Sequence, residues 1–393
     1  ATGGTGNTAY ADAVGVYLAF AVDRMAMTGN NLVRWNNVGQ KAQHCFGRQA
    51  LPMLWDFTEP NFLATATGSI DAAVFYSCDP LKWMPATTFG LSNQEDAATQ
   101  LTSKGKLVST DPPYYDNVPY ADLSDFFYVW LRKSLKHVFP SLFTTLAVPK
   151  LQELVAFPYR HDSKSSAEAF FLGGMTKAMH CLAEQAHSGF PVTIYYAFKQ
   201  AESDAAEGTA STGWETFLDA VIRAGFAITG TWPMRTEMAT RMRSMDSNAL
   251  ASSIVLVCRK RDANVYAITR REFVATLKAE LPMAVAHLQA GNIAPVDLAQ
   301  ASIGPGMAVY TRYDKVLDAE GKPLTVREAL LLINQMLDET LAEQEGDFDA
   351  DSRWALAWFE QFGFNEGKYG VAETLSKAKN TSVEGLVDAG FLQ

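Results

Sequence analysis

Residues 104–114 read KGKLVSTDPPY, from Lys104 to Tyr114. A short apolar run, Lys104 to Thr110, leaves a glycine turn as a strand and passes straight into Asp111-Pro112-Pro113-Tyr114. Two consecutive prolines fix φ and remove two N–H donors, so the carboxylate before them and the carbonyls around them are held in one stiff arrangement. In open α/β sheets, ligands bind beyond the carboxyl ends of the strands. The stretch predicts a sheet strand whose end presents a functional site.

Working outward, Asp122 to Val138 predicts an amphipathic helix with Asp and Ser at its start, and Ala167 to His187 predicts another. Phe190 to Phe198 (FPVTIYYAF) reads as a buried strand. Trp214 to Ala224 is a helix stopped by Gly225, and Phe226 to Trp232 and Ser253 to Cys258 are strands. Strand and helix thus alternate from about Lys104 to Cys258, which predicts an α/β sheet faced by helices. Upstream, Ala9 to Met27 reads as a mostly buried helix, Asn30 to Arg48 as loop with short helix, and Asp71 to Cys78 as a short strand or helix end.

Beyond Asn264 helices dominate: Arg271 to Ala290, Val326 to Glu345, Ser352 to Phe362 and Val371 to Ala378. Gly304-Pro305-Gly306 reads as a loop. A boundary near Arg261 to Ala267 gives two expected domains, an α/β domain over 1–262 and a mainly helical one over 263–393. Val371 to Leu386 at the end of the second fits a winged-helix-like unit, or equally a plain helical packing domain.

The chain of 393 residues carries a net charge of −10. That excludes a surface coated with nucleic-acid-binding charge, but not a local basic groove. No window reaches the roughly 18 unbroken apolar residues of a membrane span. Ala1 to Tyr10 lacks the pattern of a signal peptide, so a cytoplasmic setting is expected. Cys45, Cys78, Cys181 and Cys258 lie too far apart in sequence for a zinc knuckle, and no metal site is expected.

Asp111 Oδ and the Pro112 carbonyl form a fixed pair of acceptors. An exocyclic aryl amine offers two hydrogens and needs such a pair. Accepting both draws its nitrogen toward tetrahedral geometry and stabilises the positive charge that develops when it attacks a methyl group. Tyr114 supplies a flat surface for a base extruded from the duplex. The plain alternative is a proline-rich turn after a strand.

Five stretches carry a resemblance: Ser109 to Trp130 (STDPPYYDNVPYADLSDFFYVW), Phe46 to Phe57, Gly213 to Glu237, Asn248 to Arg259, and Phe362 to Leu386. Together they resemble the zinc-ribbon-containing adenine-specific DNA methylase family. The resemblance implies a Rossmann-like methyltransferase sheet, S-adenosyl-L-methionine as methyl donor, DNA adenine N6 as target, and a place in defence or modification systems. It makes Asp111, Pro112, Pro113 and Tyr114 the catalytic tetrapeptide. Within Gln94-Glu95-Asp96-Ala97 it makes Asp96 a cofactor contact. The family's glycine-rich turn, Asp-Pro-Phe-x-Gly-x-Gly, is absent; Gly3-Gly4-Thr5-Gly6 has no strand before it. The expectation is an incomplete sheet, the target-base half of an enzyme, completed by an N-terminal part or a complementary subunit. Two alternatives stay open: N4 of cytosine as the target, or a non-catalytic DNA-binding or specificity module without a cofactor site.

For DNA contacts, Thr231 to Arg243 (TWPMRTEMATRMR) concentrates Arg235, Arg241 and Arg243, with Arg259, Lys260 and Arg261 following. These cations are candidates to clamp phosphates beside the flipped base. Replacing Arg241 and Arg243 with Ala is expected to weaken DNA binding and to flatten the plot of log K against log salt by roughly 0.9 for each phosphate no longer neutralised. An unchanged slope in a salt titration would remove both from the interface.

Overall fold

The computed structural model describes residues 5–47, 50–84, 87, 90–196, 212–235, 252–262, 264–290, 295–345, 349–363, 366–367, 369–378, 381–388 and 390. Two compact units share the chain: Ala1–Glu95 with Asp116–His161, and Asp96–Tyr115 with Asp162–Gln393. Among the described residues no helix is long and apolar enough to cross a membrane.

In the first unit α1 (Asn7–Thr28) packs on α2 (Ile70–Cys78) and α3 (Tyr120–Leu135), and a hairpin joins β1 (Trp35–Asn36) to β2 (Lys41–Ala42). That hairpin occupies part of the stretch read as loop with short helix. α2 resolves the strand-or-helix choice at 71–78: the Ser69 hydroxyl accepts from the Ala72 N–H at 3.2 Å and caps a helix. Ala19, Leu135 and Phe143 form a small core.

α1 departs from the mostly buried helix expected of its sequence. Only Ala19 and Ala21 are buried, while Tyr10, Val14, Leu18 and Phe20 are 40–74% exposed. Its residues are apolar all round, but α2 and α3 take up only part of its circumference.

Charges fasten the 145–160 segment to the start of α3. Pro119 stands at the N-cap and brings no side-chain acceptor, so Glu153 reaches in and accepts from the Ala121 N–H at 3.0 Å. Glu153 also pairs with Arg160, whose other nitrogen pairs with Asp122, both at 2.6 Å. The Tyr159 hydroxyl donates to Asp122 at 2.7 Å, and Lys150 pairs with Asp125 at 2.6 Å. Burial pushes the Asp122 and Asp125 carboxyls up, but the hydrogen bonds from Tyr159 and Arg160 on one, and from Lys150 and the Val148 N–H on the other, bring both below their ordinary value.

The second unit holds a four-stranded sheet of β3 (Ser109–Thr110), β4 (Val192–Tyr196), β5 (Phe226–Arg235) and β6 (Ser252–Lys260), in the order β3-β4-β6-β5. β3 and β4 are parallel, and β6 is antiparallel to both β4 and β5. Three strands therefore end at one edge of the sheet, and β6 runs back between two of them. Between β3 and β4 lies α4 (Lys164–Gln185), and between β4 and β5 lies α5 (Thr212–Arg223); the two helices pack on each other. Val192, Ile194 and Tyr196 are buried, while Thr193 and Tyr195 alternate to a half-exposed face. β3 is shorter than the run read over 104–110, because Gly105 at φ 67° turns the chain there and its N–H bonds the Gln185 carbonyl instead.

After the sheet come β7 (Ile268–Thr269), α6 (Arg270–Ala290), α7 (Pro295–Arg312), β8 (Val316–Leu317), α8 (Val326–Glu345), α9 (Ala350–Phe362), α10 (Tyr369–Ala378) and α11 (Val383–Asp388). Thr269 with Glu272 and Thr325 with Glu328 form capping boxes that start α6 and α8. Gly304-Pro305-Gly306 is not a loop but the middle of α7. The glycines let α7 lie close to two neighbours: a Cβ at position 304 would run into Thr231 of β5, and one at 306 into Ile333 of α8. Thr311 accepts from the Ile228 N–H at 2.9 Å, and the Thr231 hydroxyl donates to the Ala301 carbonyl at 2.9 Å. α7 thus belongs to the same compact unit as the sheet. The boundary expected near 261–267 does not separate two units; the sequence change there, from strands to helices, marks a change of element and not of core.

Arg160→Ala would leave the partly buried Asp122 and Glu153 without their cation. With about a third of Asp122 exposed, the expected cost at neutral pH is about 2 kcal/mol. The stabilisation from the lowered Asp122 pKa is present above the unfolded value of about 4 and is lost as pH falls through the folded value. Urea melts from pH 7 to pH 3 should show the gap between wild type and variant closing below about pH 4. A gap constant with pH would mean that the Asp122 carboxylate contributes no electrostatic stability.

Candidate functional site

Asp111 follows the last residue of β3. The pairing of Thr110 with Ile194 sets it level with Tyr195 at the carboxyl edge of the sheet. Ser109, Thr110, Asp111 and Tyr195 line an open hollow of ≈ 330 Å³. The Thr193 hydroxyl donates to Ser109 Oγ at 3.0 Å and ties the two strands together on that face.

Within the tetrapeptide Asp111 is exposed, Pro112 is buried, and Pro113 and Tyr114 are half-buried. The Pro113 carbonyl accepts from the Tyr115 N–H at 3.2 Å and closes a tight turn. Tyr115 sits in the left-handed region at φ 45°, a conformation that costs a side-chain-bearing residue about 1–2 kcal/mol. Its burial offsets that cost. The ring packs edge-on against Phe171 with centroids 5.2 Å apart, and the hydroxyl donates to Glu168 at 3.1 Å. Gly213, on α5, leaves room for the ring. Tyr115 is therefore the anchor that fixes where the motif points. In the sequence Tyr115 is simply a second tyrosine after the motif, and no local pattern announces its backbone or its burial.

Tyr114 has a different fate. Its hydroxyl donates to Asp111 Oδ1 at 2.7 Å. Its ring meets Tyr196 edge-on, with centroids 5.4 Å apart and planes at 72°. Tyr196 in turn stacks on Phe217 at 4.0 Å and lies beside Trp214. An aromatic column rooted in the core thus ends at the half-exposed Tyr114.

Asp96 is not brought to Asp111. Its carboxylate accepts from the Ala98 N–H at 2.8 Å and caps its own turn. That turn is held at the far end of α4, where Gln185 donates to the Gln100 carbonyl at 2.6 Å. Burial, and next the charge of Asp96, raise the Cys181 thiol there. Tyr115 touches α4 at Phe171, and fourteen residues of helix separate Phe171 from Gln185, about 20 Å. S-adenosyl-L-methionine needs a backbone turn for its methionine end and an acidic group for its ribose.

The basic residues divide. Arg235 ends β5 and pairs with Ser252, at the same edge as Asp111. Arg259 to Arg261 lie at the opposite edge, because Lys260 pairs with Phe226 at the start of β5. Eight steps of β6 separate the two ends, about 26 Å. Lys260 is also committed to Glu184 at 2.7 Å. Arg241 and Arg243 lie outside the described residues.

Gly213→Ala places a Cβ 2.9 Å from the Tyr115 ring, which Phe171 holds from another side. The expected loss is about 1–3 kcal/mol in a urea melt. A loss below about 0.5 kcal/mol would show that the ring can give way and does not fix the motif.

The family described as "Domain of unknown function (DUF8807)" matches residues 349–393, the stretch that holds α9 to α11. No curated protein and no solved structure matches the chain.

Proposed function

We propose that this chain is the target-base half of an S-adenosyl-L-methionine-dependent DNA methyltransferase acting on adenine N6, built on part of a Rossmann-like methyltransferase sheet. The observation that carries the reading is the exposed carboxylate of Asp111, placed by two prolines at the carboxyl edge of the sheet and next to the Tyr114 ring. Parallel strands joined through α4 and α5 support the sheet assignment.

Asp111 Oδ accepts one hydrogen of the extruded amine and the Pro112 carbonyl the other. The nitrogen lone pair is then drawn out of the ring, and the charge that develops on nitrogen meets fixed acceptors. Tyr114 gives the base a face to stack on. Arg235, whose backbone ends β5 at the same edge, is the candidate phosphate contact in this reading. The methyl donor would be held by residues other than those around Asp111, in an N-terminal part or a complementary subunit. A cytoplasmic enzyme of DNA modification or defence fits this reading.

The absence of the turn Asp-Pro-Phe-x-Gly-x-Gly from the sequence favours a second reading, a non-catalytic DNA-binding or specificity module. One experiment separates them. DNA from cells carrying the intact gene, or the Asp111→Ala form, is digested to nucleosides and measured by mass spectrometry. The expected result is N6-methyladenine in the first and a loss of about a hundredfold or more in the second. N4-methylcytosine in its place would move the target to cytosine. Equal methylation in both would assign the chain to the non-catalytic reading.

A further inference from the structure

Resting on that reading of Asp111, we infer that Tyr114 is a latch: with no base bound, its hydroxyl occupies the carboxylate that the target amine must use. The hydroxyl stands 2.7 Å from Asp111 Oδ1, in a charge-assisted hydrogen bond. The same bond turns the ring edge-on to Tyr196. In this state the phenol answers the acceptor, and the ring is committed to the aromatic column. Binding an amine exchanges one donor for another: the phenol leaves Oδ1, the amine N–H takes its place, and the ring is released to stack.

The rest of the site is fixed. Tyr115 is buried against Phe171 and bonded to Glu168, and Tyr196 is stacked on Phe217. Tyr114 is half-buried beside these two anchors, and in this exchange its side chain shifts while Tyr115 keeps the turn in place. The latch lowers the apparent affinity for every extruded base by the fraction of molecules in which it is open. It also keeps the carboxylate from recruiting stray donors. Tyr114→Phe keeps the ring and removes the competitor.

The full chain, labelled with ¹³Cζ-tyrosine, reads the latch directly by NMR. The Tyr114 signal is assigned by its loss in Tyr114→Phe, and the remaining tyrosine signals report that the variant is folded. Asp111→Ala is expected to shift the Tyr114 signal. Oligo-dA is expected to shift it the same way, whereas oligo-dT, whose base has no exocyclic amine, leaves it in place. Tyr114→Phe is expected to bind oligo-dA about tenfold more tightly than wild type, as for a latch open about a tenth of the time. A Tyr114 signal unmoved by Asp111→Ala overturns the latch. Equal affinity of wild type and Tyr114→Phe also overturns it, since phenol and amine would then share the carboxylate. A shift with Asp111→Ala but none with oligo-dA keeps the latch and overturns adenine as its key, which counts against the proposed target and not against the bond.

Discussion

The geometry of the candidate site depends on the burial of the Tyr115 ring. Its backbone takes up a conformation that disfavours side chains, and the contacts of its ring with Phe171 and of its hydroxyl with Glu168 help to hold it there. That one anchored residue sets the end of a turn begun by two prolines. Between them, the prolines and the anchor leave Asp111 no choice of direction. Tyr114 lies inside this frame, with its hydroxyl on Asp111 and its ring against Tyr196. Adjacent tyrosines therefore divide the work: one holds the backbone through the core, and the other stays at the surface with its hydroxyl on the carboxylate.

Apolar packing and ion pairs carry different parts of the chain. Around the sheet the terms are apolar: β4 sends Val192, Ile194 and Tyr196 into a core shared with Trp214 and Phe217 of α5. In the other unit, the segment before residue 161 is fastened to α3 largely by ion pairs around Arg160. Burial of apolar area is indifferent to proton concentration, and ion pairs are not.

Periodicity made most elements legible before any coordinates. The helices at 122–138, 167–187 and 214–224 and the strands at 190–198, 226–232 and 253–258 occur close to where their patterns place them. Local chemistry made Asp111 to Tyr114 legible, because strand, turn and prolines are contiguous. What stayed hidden depended on partners distant in sequence. Gly304 and Gly306 carry a loop signal, yet they serve close packing of α7 on Thr231 and Ile333. Arg235 and Arg259 look like one cluster, until the antiparallel return of β6 puts them at opposite edges. The position of Asp96 depended on which end of α4 its turn would meet, which no spacing encodes. The exposure of α1 depended on how many neighbours its unit provides.

The fit of α7 against β5 bears on how the chain can be dissected. A cut after residue 262, where composition changes, would remove the helix that supplies the Thr311 hydroxyl to Ile228 and the Ala301 carbonyl to Thr231. Among the described residues β5 has a strand partner on one side, β6. Stripped of α7 it would become a bare edge that still carries Trp232 and Met234 on its surface, the kind of edge that recruits other chains. The fragment that sequence alone would choose for the sheet is therefore the one most prone to aggregate. The helices that look like an appendage are the cover that lets the sheet end where it does.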